Sequence, residues 1–310
     1  MLPQLHDHAF EDTREALLEV LDLFSDAYAV SGRLPDWRFV LLEHWYYSGR
    51  VDRVREQPGF WRESGHVWRD GAGKVVAFLA TESSGDPLFV VSHPSRRGVE
   101  EAVFRYVVEV RLPRRGRVMT IARTGDAIRE DILTRLGFVR GDEEERHYRW
   151  DLASIDLSYD LPVGFVVRGM GETGDDSDFT RQAELTRRIF PRSEHTREAH
   201  DCLRQAPDYR PDLDVAAIAP SGEHAALACA MLDRRSLIGD FEPVGTEPRY
   251  RRLGLGRAVM LEAFRRLRTL GARQAFLVTG GEPYHANRFY TALEPAEVWT
   301  AHGWIKEVPL

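Results

Sequence analysis

The sequence has only two cysteines, Cys202 and Cys229, and only two lysines, Lys74 and Lys306, in 310 residues. Two isolated cysteines exclude a disulfide framework and a cysteine-built metal site, and a reducing, cytoplasmic setting is expected. The scarcity of lysine leaves arginine as the working base, which reads as the bias of a GC-rich genome. Positive charge is in the minority, with 42 basic against 49 acidic residues and a formal charge of -7. That sign is wrong for gripping a phosphate backbone, so nucleic acid is excluded as the main partner. No apolar run approaches the ~20 residues that span a bilayer. The opening MLPQLHDHAFEDTREALL lacks a basic start followed by an apolar core, so neither a signal peptide nor a membrane partner is expected.

The chain does contain a repeat. In the second half LDVAAIA and HAALACAML read as strands around a PSGE turn, and SLIGDFEPV reads as a third strand. A helix running to Leu270, the strand QAFLVTG, a short helix around NRFYTAL and the strand VWTAHGWIKEV follow. The first half keeps this order: GHVWRD and KVVAFLAT around GAGK, then DPLFVVSHP, a helix in VEEAVFRYVVEVRL, RVMTIARTG, AIREDILTRLGF and RHYRWDL. An internal duplication explains the match. The boundary falls within Ser154 to Pro162, dividing the chain into residues 1–156 and 157–310, with the strand GFVVRGM opening the second copy.

Within EPRYRRLGLGRAVM, Gly254 and Gly256 sit at the start of a helix whose apolar stripe is Met260, Leu261, Phe264, Leu267 and Leu270, with Gly271 as its stop. Unpaired N–H groups and the positive dipole end at a helix N-terminus favour an anion, and glycine lets the backbone approach it. The geometry suits a phosphate or pyrophosphate. A P-loop would need Lys and Ser or Thr where Arg257 and Ala258 stand, and a dinucleotide fingerprint would need glycine at Val259.

Arg251-x-x-Gly254-x-Gly256 resembles the [Q/R]-x-x-G-x-[G/A] motif of the GNAT acetyltransferase superfamily, which cradles the pyrophosphate of acetyl-CoA. SLIGDFEPVGTEP resembles the bulged strand that precedes that motif, and Asn287 with Phe289-Tyr290 follows the next strand as in that family. The resemblance implies an α/β fold with mixed sheets, built as two tandem GNAT-like domains. It also implies acetyl-CoA as cosubstrate and no metal. Val244, Thr246, Arg251, Arg252, Leu253, Gly254, Leu255, Gly256, Arg257, Asn287 and Tyr290 would bind the cofactor. Transfer to an amine needs a base, because an alkyl ammonium with a pKa of about 10.4 is not nucleophilic near neutral pH. Glu242 and Asp240, two apart on one strand, are the candidates, with Glu242 favoured. Tyr290 would protonate the leaving thiolate, and the N–H of Val244 would hold the thioester oxygen.

One departure is Leu293-Glu294-Pro295, where the family commonly has L-G-F; the first half keeps Leu136-Gly137-Phe138. The first half differs at the cradle, where Glu100-Glu101 replace Gly256-Arg257, and Leu133 stands at the place of Tyr290. It is expected to lack CoA binding and to serve as scaffold or as one wall of the cleft. His6 and His8 read as a mobile polar terminus, His195 and His200 as part of a solvated helix, and the aromatics around Trp37 and Trp45 as core or interdomain packing. The expected function is acetyl transfer in the second half to a primary amine of a small molecule or a peptide amino group, by a monomer or homodimer. The alternative is a non-catalytic acyl-CoA-binding sensor or interaction module.

Overall fold

The computed structural model describes residues 5–49, 59–82, 87–193 and 195–308. The first half runs β1 (His6–Ala9), α1 (Arg14–Ser31), α2 (Phe39–Glu43), α3 (Phe60–Ser64), β2 (His66–Arg69), β3 (Val75–Thr81) and β4 (Leu88–Ser92). It continues with α4 (Arg97–Tyr106), α5 (Leu112–Arg115), β5 (Arg117–Arg123), α6 (Ala127–Arg135) and β6 (Val139–Asp151). The second half runs β7 (Val166–Gly169), α7 (Ser177–Ile189), α8 (Arg197–Leu203), β8 (Tyr209–Ile218), β9 (His224–Asp233) and β10 (Ile238–Thr246). It ends with α9 (Leu255–Thr269), β11 (Gln274–Gly280), α10 (Asn287–Thr291) and β12 (Glu297–Glu307). The duplicated order is therefore present element by element, with no helix or strand between Asp151 and Val166.

The strands form one mixed sheet of twelve, ordered β1-β2-β3-β4-β5-β12-β6-β11-β10-β9-β8-β7. Each half gives its closing strand to the other. β12 pairs with β5 from Ala301↔Arg123 to Glu307↔Arg117, and β6 pairs with β11 from Asp151↔Gln274 to Glu145↔Gly280. β6 and β12 also pair with each other at the centre.

Given the exchange, alternation along β6 decides which of its side chains enter the other half. Tyr148 and Trp150 point to the face covered by α9 and α10, where Trp150 meets Phe264 at 5.2 Å and Tyr148 meets Tyr290 at 5.6 Å. Two first-half aromatics thus complete the core built on Met260, Leu261, Phe264 and Leu267. Reciprocally, Trp304 of β12 is buried in the first-half core around Val103 and Phe104. Burying an aromatic of this size contributes on the order of 3 kcal/mol. On the opposite face α1 and α2 cover both halves: Phe24, Trp37 and Phe78 share a core with Met231, Ile238 and Phe276. Trp37 is fully buried and stacks on Phe89 at 5.1 Å.

Two sequence readings are corrected. His6 and His8 lie in a strand, β1, paired with β2, and the Asp7 carboxylate is 2.9 Å from His66. His195 and His200 are buried. His195 precedes α8, so helical spacing does not govern the pair. Its Nε2 lies 3.1 Å from Nδ1 of His200, its Nδ1 lies 3.1 Å from the Ser48 hydroxyl, and its ring stacks on His44. Burial pushes His195 down to about 2 and His44 to about 4, so both rings stay neutral in a polar seam between the halves. Among the described residues no helix is long and apolar enough to cross a membrane.

Because each sheet half needs a strand from the other, fragments 1–156 and 157–310 expressed separately are expected to lack cooperative thermal unfolding by circular dichroism. Co-expression is expected to restore it. A cooperative transition in either fragment alone would contradict a required exchange.

Candidate active site

β10 and β11 run parallel, but they pair only from Ile238↔Gln274 to Asp240↔Phe276. Beyond that point β10 bulges, because Phe241 pairs with Ala230 and Val244 with Ala228, so that Glu242 and Pro243 together stand opposite the single residue Cys229. The two strands diverge, and a cleft of about 910 Å³ opens between them. Glu242, Val244, Thr246, Arg251, Arg252, Gly254, Leu255, Gly256, Arg257 and Tyr290 all line it.

At one end is the N-terminus of α9. Gly254 is its N-cap, at φ 80, and no side chain caps the helix. A Cβ at Gly256 would lie 3.0 Å from the Thr246 hydroxyl and 3.5 Å from the Phe289 ring. Bare N–H groups, a glycine that keeps the approach open and three neighbouring arginines make this end fit for a pyrophosphate. Arg251 is aimed by a 3.3 Å hydrogen bond to the Thr246 carbonyl, and Arg257 by one of 3.4 Å to Ala292.

At the other end stand Glu242 and Tyr290. Burial raises the Glu242 carboxyl above its usual range, against the opposing pull of the Arg38 guanidinium. Burial also raises the Tyr290 phenol, and the Glu242 charge adds to the effect. Tyr290 therefore holds its proton, and Glu242 is a stronger base than a surface carboxylate.

Three expected site residues lie off the cleft. Asp240 is fully buried and ion-paired with Arg38, the residue preceding α2, and its Oδ1 also accepts the Phe241 N–H at 2.9 Å. Leu253 is exposed at the loop surface. Asn287 is buried and ties the end of β11, at 2.5 Å from the Thr279 hydroxyl, with its amide donating to the Gly280 carbonyl at 3.3 Å.

The cleft also contains residues that sequence reasoning missed. Glu144 and Glu145 line it from β6, a first-half strand. Glu145 accepts from His147 at 2.9 Å, and burial pushes its carboxyl up to about 8. Ile189 and Phe190, at the end of α7, form part of the wall. The acidic run GDEEER gave no signal, because its role depends on which strand it pairs with.

Residues 180–293 match the family model of the acetyltransferase (GNAT) family. That stretch is similar to a GNAT acetyltransferase domain. Solved structures extend the likeness of fold over the whole length. A tandem GNAT protein from the clavulanic acid biosynthesis pathway matches at a TM-score of 0.64 and 17% identity, covering 99% of this chain and 100% of that one. A GCN5-related N-acetyltransferase from Sphaerobacter thermophilus matches at 0.60 and 16%, covering 99% and 97%. A GNAT-family acetyltransferase from Colwellia psychrerythraea matches at 0.59 and 10%, covering 97% and 100%. No curated protein sequence matches the chain. A two-domain GNAT architecture fits all of these observations.

The two GNAT-like halves differ at the cradle. Glu100 is fully buried where Gly256 is open, and it accepts from Arg97 at 2.8 Å, from Ser92 at 3.2 Å and from Arg129. Arg129 also binds Asp36 at 2.6 Å and the Val90 carbonyl at 3.1 Å. An ion network thus occupies the first-half position that corresponds to the anion cradle. The departure from the GNAT L-G-F pattern leaves the turn itself intact. Glu294 takes φ 53 where Gly137 takes φ 76, and Tyr290 keeps its place in the cleft.

Two predictions follow from these turns. Gly256→Glu, which imitates Glu100, is expected to abolish CoA binding in calorimetry while the circular dichroism spectrum is retained; unchanged affinity would refute the cradle. Glu294→Gly relieves a left-handed backbone and is expected to stabilise the protein by about 1 kcal/mol in urea unfolding.

Proposed function

We propose that the second half is an acetyl-CoA-dependent N-acetyltransferase acting on a primary amine. The observation that carries this reading is the cleft itself, which joins an uncapped helix N-terminus to a half-buried carboxylate and a buried phenol. When bound, acetyl-CoA would supply the thioester. Its pyrophosphate would lie against Gly254 and Gly256 with Arg251, Arg252 and Arg257, and its pantetheine would follow Val244 and Thr246.

Glu242 takes the proton from the incoming ammonium, so that the amine nitrogen has a free pair to form the C–N bond. As the C–S bond breaks, Tyr290 donates its proton to the thiolate, and the second proton that the nitrogen loses on becoming an amide restores the phenol. The Val244 N–H faces the charge that develops on the carbonyl oxygen. Asp240 serves this site indirectly: it neutralises Arg38 beneath the bulge, and removing either partner would leave an uncompensated buried charge. The first half, with Glu100 in its cradle, binds no CoA in this reading and acts as one wall of the cleft.

Thiol release from acetyl-CoA with a panel of amines tests the proposal. Glu242→Gln and Tyr290→Phe are each expected to lower kcat by about a hundredfold or more with CoA affinity unchanged. Tight CoA binding without turnover on any amine, identical in both variants, would favour a CoA sensor instead.

A further inference from the structure

The face of the sheet opposite α9 gathers several acidic side chains, Asp240, Glu242, Glu145 and Glu82, around the one guanidinium of Arg38. Along β10, Phe241 packs against Phe264 of α9 at 5.4 Å, and a Cβ at Gly239 would strike Leu267. Asp240 therefore points the other way, to Arg38 below α2. Along β6, Tyr148 and Trp150 take the α9 side, so His147 and Glu145 take the side of Asp240. His147 stacks on Trp299 there at 5.1 Å. Glu145 and Glu242 both line the cleft, and both act on the Arg38 guanidinium.

The nearby cations make no hydrogen bond to either carboxyl group among the described residues. Arg38 pairs with Asp240 through Nη1, and its Nε and Nη2 have no hydrogen-bond partner there. Arg123 and Arg149 are both held by Glu297, at 2.9 and 3.1 Å. His147, the ring that touches Glu145, is pushed down to about 3 by burial and carries no charge. The cleft arginines Arg251, Arg252 and Arg257 belong to the cradle at the other end. Two half-buried carboxyl groups thus face the acceptor side and share with Asp240 a single cation, Arg38. Burial raises the pKa of both, Glu145 to about 8, so Glu145 is largely protonated near neutral pH and ionises when an incoming positive charge favours its charged form. Glu242 is taken up by the proton of the reacting amine, which leaves Glu145, oriented by His147 through one oxygen, with its other oxygen unengaged among the described residues.

We propose that the acceptor is a dicationic alkyl amine: one nitrogen reacts at the thioester while the second stays protonated and is bound by Glu145, a first-half residue that β6 carries into the second half's cleft. This rests on the acetyl-transfer reading of the same cleft. It assigns the first half a direct part in choosing the substrate.

Calorimetry on the full chain saturated with CoA tests it, using α,ω-diaminoalkanes against n-alkylamines of equal length. The diamines are expected to bind about ten- to a hundredfold more tightly, the worth of one charge-assisted contact in a partly buried site. Glu145→Gln, which keeps an oxygen for His147, is expected to erase that difference and leave CoA affinity unchanged. Equal binding of the two series by the wild-type chain, no measurable binding of either, or a preference that survives in the variant would overturn the proposal. A chain that fails to bind CoA at all would overturn the acetyl-transfer reading itself, and this proposal with it.

Discussion

The ladders that join β12 to β5 and β6 to β11 hold the two copies together and also build the cleft. β6 must lie beside β11 for Tyr148 and Trp150 to fill the core under α9, and that core fixes the helix whose N-terminus bears the glycine pair. The same strand brings Glu144 and Glu145 to the cleft. A chain in which each half kept its own closing strand would have two separate sheets, and neither aromatic nor carboxylate would cross.

The second constraint is the bulge at Glu242-Pro243, which ends the pairing of β10 with β11. A regular parallel pair would be closed by its own hydrogen bonds and would have no room for a ligand. By setting two residues against one, the strand turns Glu242 into the cleft and leaves Asp240 to neutralise Arg38. At the first-half cradle the evolutionary copy has taken another course. Glu100 and Arg129 satisfy each other where the second half leaves N–H groups bare.

Much of this was legible in the sequence. The order of elements followed from hydrophobic period and turn residues, and the duplication let each half check the other. The open helix start at Gly254 was legible from its glycines, and the contrast with Glu100 from the carboxylate at the equivalent position. The exchange of β6 and β12 was not legible, because a strand's pattern gives its two faces but not its neighbour. Glu145 was missed for the same reason. His195 and His200 were misread because a spacing rule for helices was applied to a residue that lies before the helix. The turn at Glu294 shows the reverse case, where a changed sequence keeps the backbone by placing a non-glycine residue in the left-handed region.

The account holds that one duplicated chain makes one working cleft, open in the second half and closed by an ion network in the first. The stoichiometry of CoA binding to the full-length protein, read by titration calorimetry, tests this most directly. One CoA per chain is the predicted result; two per chain, or none, would contradict it.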